Sequence, residues 1–180
     1  EEVLEAIDQI GSVSGSKEKI SLLRRFGADS TFYDLVQLAM DPFTRFGLAT
    51  KSIPDVEPGC YDFTASTHRL LEQLCMRELT GNFAIAGLHA ELEKLNSASQ
   101  ELLRRILIKD LRAGIGVKTL NKAMPGWVGV FELMLAKPYE EKRVQKFPLV
   151  VEPKLDGVRC AALVHSAMSP RVEFLSRSGK

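Results

Sequence analysis

Apolar residues recur at spacings of three and four through roughly the first 125 positions of this 180-residue chain, and that period commits most of it to amphipathic helices packed on one another. Val3, Leu4, Ile7 and Ile10 make a first stripe, ended by Gly11. Ile20, Leu23 and Phe26 make a second, closed by Gly27. Ser30 is placed to cap a third, with Phe32, Leu35, Val36 and Ala39 inward and Pro42 beyond its end. The interval 41–63, DPFTRFGLATKSIPDVEPGCYDF, carries three prolines and two glycines, so it reads as a long loop pinned by its aromatics. Further helical stretches follow: HRLLEQLCMREL, then FAIAGLHAELEKL entered through LTGN, then SASQELLRRILIKDLRAG. The last opens on a Ser97–Gln100 capping box, ends at Gly114 and puts Leu103, Ile106, Ile108 and Leu111 in the core. A short helix from Val117 to Met124 is stopped by Pro125-Gly126.

Beyond Phe147 the period changes to two. LVVEPK, DGVRCAALVH and RVEFLSR, the last following the turn SAMSP, read as the first strands of a sheet. The expected fold is therefore mainly α: an all-helical domain over 1–131, then the opening strands of an α+β domain over 132–180. Too few residues follow the switch to finish such a domain, so the chain is expected to stop in mid-domain.

The formal net charge is only +1. No run approaches the ~20 apolar residues that cross a bilayer, and the start EEVLEAIDQI lacks the basic and apolar regions of a secretory signal. No membrane contact and a cytoplasmic location are expected. Cys60, Cys75 and Cys160 form no C-x-x-C pair, and their spacing with His68 does not suit structural zinc; no metal ligands are assigned. Charge is uneven, however. Between Glu101 and Gly126, Arg104, Arg105, Lys109, Arg112, Lys118 and Lys122 face only Glu101 and Asp110, which suits a polyanionic partner.

Two glycine-bearing turns lead into helices near these charges: Thr80-Gly81-Asn82, and Gly114-Ile115-Gly116 before Val117, Lys118 and Thr119. Helix N-termini present backbone amides to phosphates. Helix grammar alone would make Gly81 and Gly114 ordinary C-cap glycines.

The stretch VEPKLDGVRC at 151–160 sets Lys154, Asp156, Gly157 and Arg159 inside an apolar run. A lysine attacks only as the neutral amine, and bringing one from its reference pKa of ~10.4 towards neutrality costs ~4 kcal/mol. Neighbouring cations and partial burial supply such a shift. K-x-D-G arises by chance in roughly 2% of chains this long, and with the arginine in about 0.1%. A nucleophilic lysine and a charged surface hairpin both remain open on the motif alone.

EPKLDGVR resembles nucleotidyltransferase motif I of the ATP-dependent DNA ligases, FLSRSGK at 174–180 resembles the motif that follows it, and FELMLAKP resembles the entry into their catalytic domain. LTGNFAI and LIKDLRAGIGVKTLNKAMPG are similar to the helical DNA-binding domain of these enzymes, nearest to the T-even bacteriophage type. The resemblance implies nick sealing in duplex DNA, in repair, replication and recombination, with ATP and Mg2+. It implies Lys154 as the adenylylated nucleophile, Glu152 facing the adenine amino group and Arg159 on the AMP ribose or phosphate. Arg177 would contact the nucleotide or the nick 5′-phosphate, and Asp156 would act in the sealing step. It also turns the two glycine-bearing turns into minor-groove and phosphate contacts on nicked duplex, through Gly81, Asn82, Gly114, Gly116, Lys118, Thr119 and Lys122, with Arg104, Arg105 and Arg112 on the same surface. A monomer is expected, in a host cytoplasm if the origin is a phage, with a sliding clamp as a further candidate partner. The later family motifs are not in this sequence, so the 180 residues alone are expected neither to seal nicks nor to load AMP.

RNA ligases and mRNA-capping guanylyltransferases share K-x-D-G; the long helical region before Lys154 favours a DNA ligase over both. The NAD-dependent ligases fit less well, for nothing upstream resembles their nicotinamide-binding domain. A non-catalytic helical DNA-binding module is the reading from another class.

Overall fold

The three-and-four spacing is realised as helices. The computed structural model describes residues 2–130, 138–140, 142, 148–153, 157–158, 160–164 and 172–176, and the chain divides into two compact units, Glu1–Gly129 and Val130–Lys180. The described residues of the first unit form α1 (Glu2–Ser12), α2 (Ser16–Phe26), α3 (Ser30–Met40), α4 (Ala65–Cys75), α5 (Gly81–Leu92), α6 (Ser97–Ile108) and α7 (Val117–Ala123). Helix α6 packs on α1 and α3, α2 on α1 and α7, and α4 on α5. Ile7, Ile10, Leu23, Leu35, Leu103 and Ile106 are fully buried in one shared core. In the second unit, β1 (Cys160–Val164) pairs antiparallel with β2 (Val172–Ser176), Ala162 opposite Phe174. The fold class is mainly α, as the periodicity requires.

Several boundaries differ from the sequence reading, each for a local reason. Helix α1 runs through Gly11 to Ser12. Asp29, not Ser30, caps α3, its carboxylate accepting from the Phe32 amide at 2.8 Å. Asn96, not Ser97, caps α6 by accepting from the Ser99 amide at 2.9 Å. In both, a better-placed short polar side chain lies one residue earlier. Gln100 is consequently free of capping and, buried, donates its amide to the Leu92 carbonyl at 2.7 Å. Helix α4 ends at Cys75, short of the HRLLEQLCMREL stretch, and α6 ends at Ile108, well before Gly114. The residue after each end region turns left-handed: Arg77 at φ 63° and Lys109 at φ 59°. A side chain in that region costs roughly 1–2 kcal/mol. Ile108 is only half-buried; Leu102 and Leu107 take core positions in its place.

Lys109 shows what such strain secures. Its ammonium donates to the carbonyls of Asp41 (2.6 Å), Thr44 (3.0 Å) and Leu38 (3.4 Å), at the C-terminal end of α3 where the helix dipole favours a cation. It also stands 5.8 Å from the ring centre of Phe46, the buried aromatic of the long loop. Phe43 and Tyr61 are exposed, so the loop is pinned by Phe46, by half-buried Phe63 packed against the core and, at its far end, by main chain. There the Gly59 and Tyr61 amides donate to the Leu95 and Lys94 carbonyls, and the Asn96 amide returns to Tyr61. A Cβ at Gly59 would collide with the carbonyls of Lys94 and Glu93.

Glu91 joins α5 to the start of α4. It is buried and accepts from the Ser66 and Thr67 hydroxyls, each at 2.7 Å, and from Lys94 at 3.1 Å. Burial pushes its carboxyl up, but the hydrogen bonds from Ser66, Thr67 and Lys94 outweigh burial and hold it below the usual glutamate value. The stability it contributes is therefore full above the unfolded pKa and is lost as pH falls through the folded one. Glu91→Gln is expected to cost about 1–2 kcal/mol in urea unfolding near pH 7, a difference that shrinks towards about pH 3. A gap that stays constant with pH would contradict this assignment.

Candidate nucleic-acid interface

Helix α7 is held from behind by α2. Arg24 donates to the Ala123 carbonyl at 3.0 Å and the Lys122 carbonyl at 3.3 Å, covering the C-terminal end of α7. Lys19 donates to the carbonyls of Ala113 (2.6 Å) and Gly114 (3.2 Å) in the turn before it. Gly114 has φ 59°, a backbone conformation that calls for glycine, and a Cβ there would displace the Lys19 ammonium, which would stand 2.8 Å from it. Fixed at these points, α7 leaves its N-terminal end outward. Gly116 is the N-cap, with no side-chain cap. Gly116, Lys118 and Lys122 are exposed and Thr119 is half-buried. Among the described residues neither lysine ammonium makes an ion pair or hydrogen bond.

Helix α5 opens in a similar manner. Thr80 is its N-cap without a side-chain cap, Gly81 has φ 55°, and among the described residues nothing beyond its chain neighbours and its own helix backbone lies within 4 Å of where a Gly81 Cβ would be. Thr80, Gly81 and Asn82 are exposed, and Phe83 is 81% exposed. Helices α3 and α6 carry side-chain caps; α5 and α7 leave first-turn amides to solvent, as does α2 after Gly15. An anion set against such an end meets donors and a favourable dipole together.

The basic segment is less free than its sequence suggests. Arg105 bonds Glu101 at 2.8 Å, Asp8 and the Leu111 carbonyl, and is 11% exposed. Burial opposes its charge, but the bonds it donates to Glu101 and Asp8 outweigh burial and raise its pKa further. It ties α6 to α1 and is withdrawn from the candidate surface. Arg104 pairs with Asp55 at 3.2 Å. Arg112, at φ 54°, is exposed and pairs with Glu101 at 2.9 Å. The partners Asp8 and Asp55 come from distant parts of the chain, so a local charge count could not include them.

Arg77 is a candidate that the sequence reading passed over, because it lay inside an apparently continuous helical stretch. It is exposed, and its guanidinium occupies the space that a side chain at Gly47 would fill. The signal in the sequence was faint: a basic residue at a helix end, four positions before Gly81.

Of the nucleotide-site residues, Glu152 is exposed; Lys154, Asp156, Arg159 and Arg177 lie outside the described residues. Among the described residues no group of three His, Cys, Asp or Glu side chains is arranged to hold a metal, and no helix is long and apolar enough to cross a membrane. His68 instead packs edge-on against Phe63 at 5.1 Å.

No family model matches the chain. It is similar to the DNA ligases of Enterobacteria phages T4 and T6, each 30% identical over 98% of the chain. The chain spans 38% of the length of these curated relatives. Two solved structures, Pmar-Lig_PreS3 and Pmar-Lig_Pre., superpose with TM-scores of 0.77 at 28% and 27% identity, covering 99% of this chain and 42% of theirs.

Proposed function

We infer from this chain's place in the DNA ligase family, as a relative of part of its members' length, that the helical unit holds nicked duplex DNA while Lys154 carries the adenylate. The observation that bears the DNA half is the pair of exposed, uncapped helix starts at α5 and α7, the second flanked by Lys118 and Lys122. Phosphates would sit against Gly81-Asn82 and Gly114–Thr119, with Arg112 at the edge of the surface. Arg105 plays no part in that contact.

For the covalent half, the Lys154 amine attacks the α-phosphorus of ATP, the N–P bond forms, and pyrophosphate leaves. Glu152, Arg159 and Arg177 orient the nucleotide, and Asp156 serves the later attack of the nick 3′-hydroxyl on the adenylylated 5′-phosphate. Mg2+ belongs to the same reading, as do the roles in repair and replication. We assign the helical unit as a DNA-binding domain and the strands after it as the start of a nucleotidyltransferase domain.

Binding of the 180-residue chain to a labelled nicked duplex tests the DNA half. Affinity is expected to fall steeply with salt, the log–log slope giving the number of neutralised phosphates. Lys118→Ala and Lys122→Ala should each flatten the slope by about 1, with no change in sequence preference. A salt-independent affinity would overturn it.

A further inference from the structure

Three residues other than glycine have positive φ among those described, and all three are basic: Arg77, Lys109 and Arg112. Lys109 gains three carbonyl acceptors from its position. Arg112 is fixed by the hydrogen bond its backbone amide donates to the Asp110 carboxylate at 2.9 Å and by its ion pair with Glu101. Arg77 has only its backbone role. Its amide donates to the Leu74 carbonyl, and the amides of Glu78 and Leu79 reach back to Gln73. These bonds terminate α4 through a left-handed residue, a position glycine fills without strain. Among the described residues the Arg77 guanidinium forms no ion pair or hydrogen bond.

An arginine kept where glycine would relieve strain, exposed and without an acceptor among the described residues, calls for an acceptor from outside the chain. Gly47, itself at φ 68° and lacking a Cβ, gives the guanidinium a seat against main chain. The planar fork suits a phosphate, which it can bind through two parallel hydrogen bonds. Gly81 follows four residues later, within about 14 Å along the chain, so both can meet one DNA strand. We propose that Arg77 is a phosphate-binding residue of the DNA interface, anchoring the backbone beside the open start of α5. The proposal rests on the DNA-binding reading above and adds to it a contact on the α4–α5 turn.

Arg77→Gly separates the two roles because they move in opposite directions. Relief of strain should raise the melting temperature by about 2–4 °C. Loss of the contact should weaken binding to nicked duplex about tenfold and lower the salt slope by about 1. Arg77→Lys, which keeps charge and strain but loses the fork, should melt as the parent does and bind between the two. Unchanged affinity and slope in Arg77→Gly would overturn the proposal, whatever its melting temperature. Lys118→Ala tells the failures apart: if that variant loses affinity while Arg77→Gly does not, only the Arg77 assignment falls. If the unaltered chain binds no duplex, the wider reading falls and takes this one with it.

Discussion

Trp127→Ala is expected to destabilise the helical unit by about 3–5 kcal/mol, a large share of the 5–15 kcal/mol that holds a typical domain together. Trp127 is fully buried. Its ring lies 4.9 Å from that of Tyr33 and nearly parallel to it, and 6.3 Å from Phe32. Its indole N–H donates to the Tyr33 carbonyl at 3.1 Å, and its own carbonyl accepts from Gln37 at 2.8 Å. A Cβ at Gly27 would stand 3.2 Å from the indole and 2.7 Å from the Met124 sulfur, so the end of α2 sets bare main chain against this ring. One residue on, Asn121 clamps Val128 through a pair of bonds, 2.8 Å to its carbonyl and 2.9 Å from its amide. Removing the indole therefore opens a void between α2, α3 and α7 that the clamped backbone cannot close. Because this is the sole tryptophan, unfolding in urea has to be followed by far-ultraviolet circular dichroism. A loss below about 1 kcal/mol would show that the site collapses after all.

Lys154→Arg is expected to abolish the covalent adenylate in a ligase carrying this sequence. Arginine preserves the charge and much of the length of lysine, so a purely electrostatic role, or a place on a charged hairpin, would survive the change. A guanidinium stays protonated at any pH a protein tolerates and has no free electron pair to offer phosphorus. The substitution thus separates attack from attraction. The measurement is retention of label from α-phosphate-labelled ATP on denatured protein, with the labelled peptide sequenced. Label incorporated undiminished by the variant would remove Lys154 from the chemistry and leave the DNA-binding half standing.

The helices and their inward faces were legible because a period of 3.6 is a property of neighbours in sequence. Ile7, Leu23, Leu35 and Leu103 are all where their spacing put them. Legibility failed wherever a distant group decided the outcome. Lys109 ends α6 because carbonyls of the long loop and α3, some 65 to 71 residues away in sequence, await its ammonium. Arg105 left the candidate surface because Asp8 takes it. The caps were misplaced by one residue because Asp29 and Asn96 compete with adjacent serines on nearly equal terms. Trp127, following a Pro-Gly stop, carried no periodic signal at all. The open ends of α5 and α7 were readable from glycines and lysines, but that Arg77 stands exposed at a helix end depends on a backbone angle no motif records.

The cations seated on main-chain carbonyls, Lys19, Arg24 and Lys109, give the molecule two separate responses to electrolyte. Mobile ions compete poorly for short contacts made to fixed main-chain dipoles, whereas they screen open charges facing solvent. On the DNA-binding reading, added salt would loosen the grip on the polyanion while leaving the scaffold that shapes it intact, so release would not require unfolding.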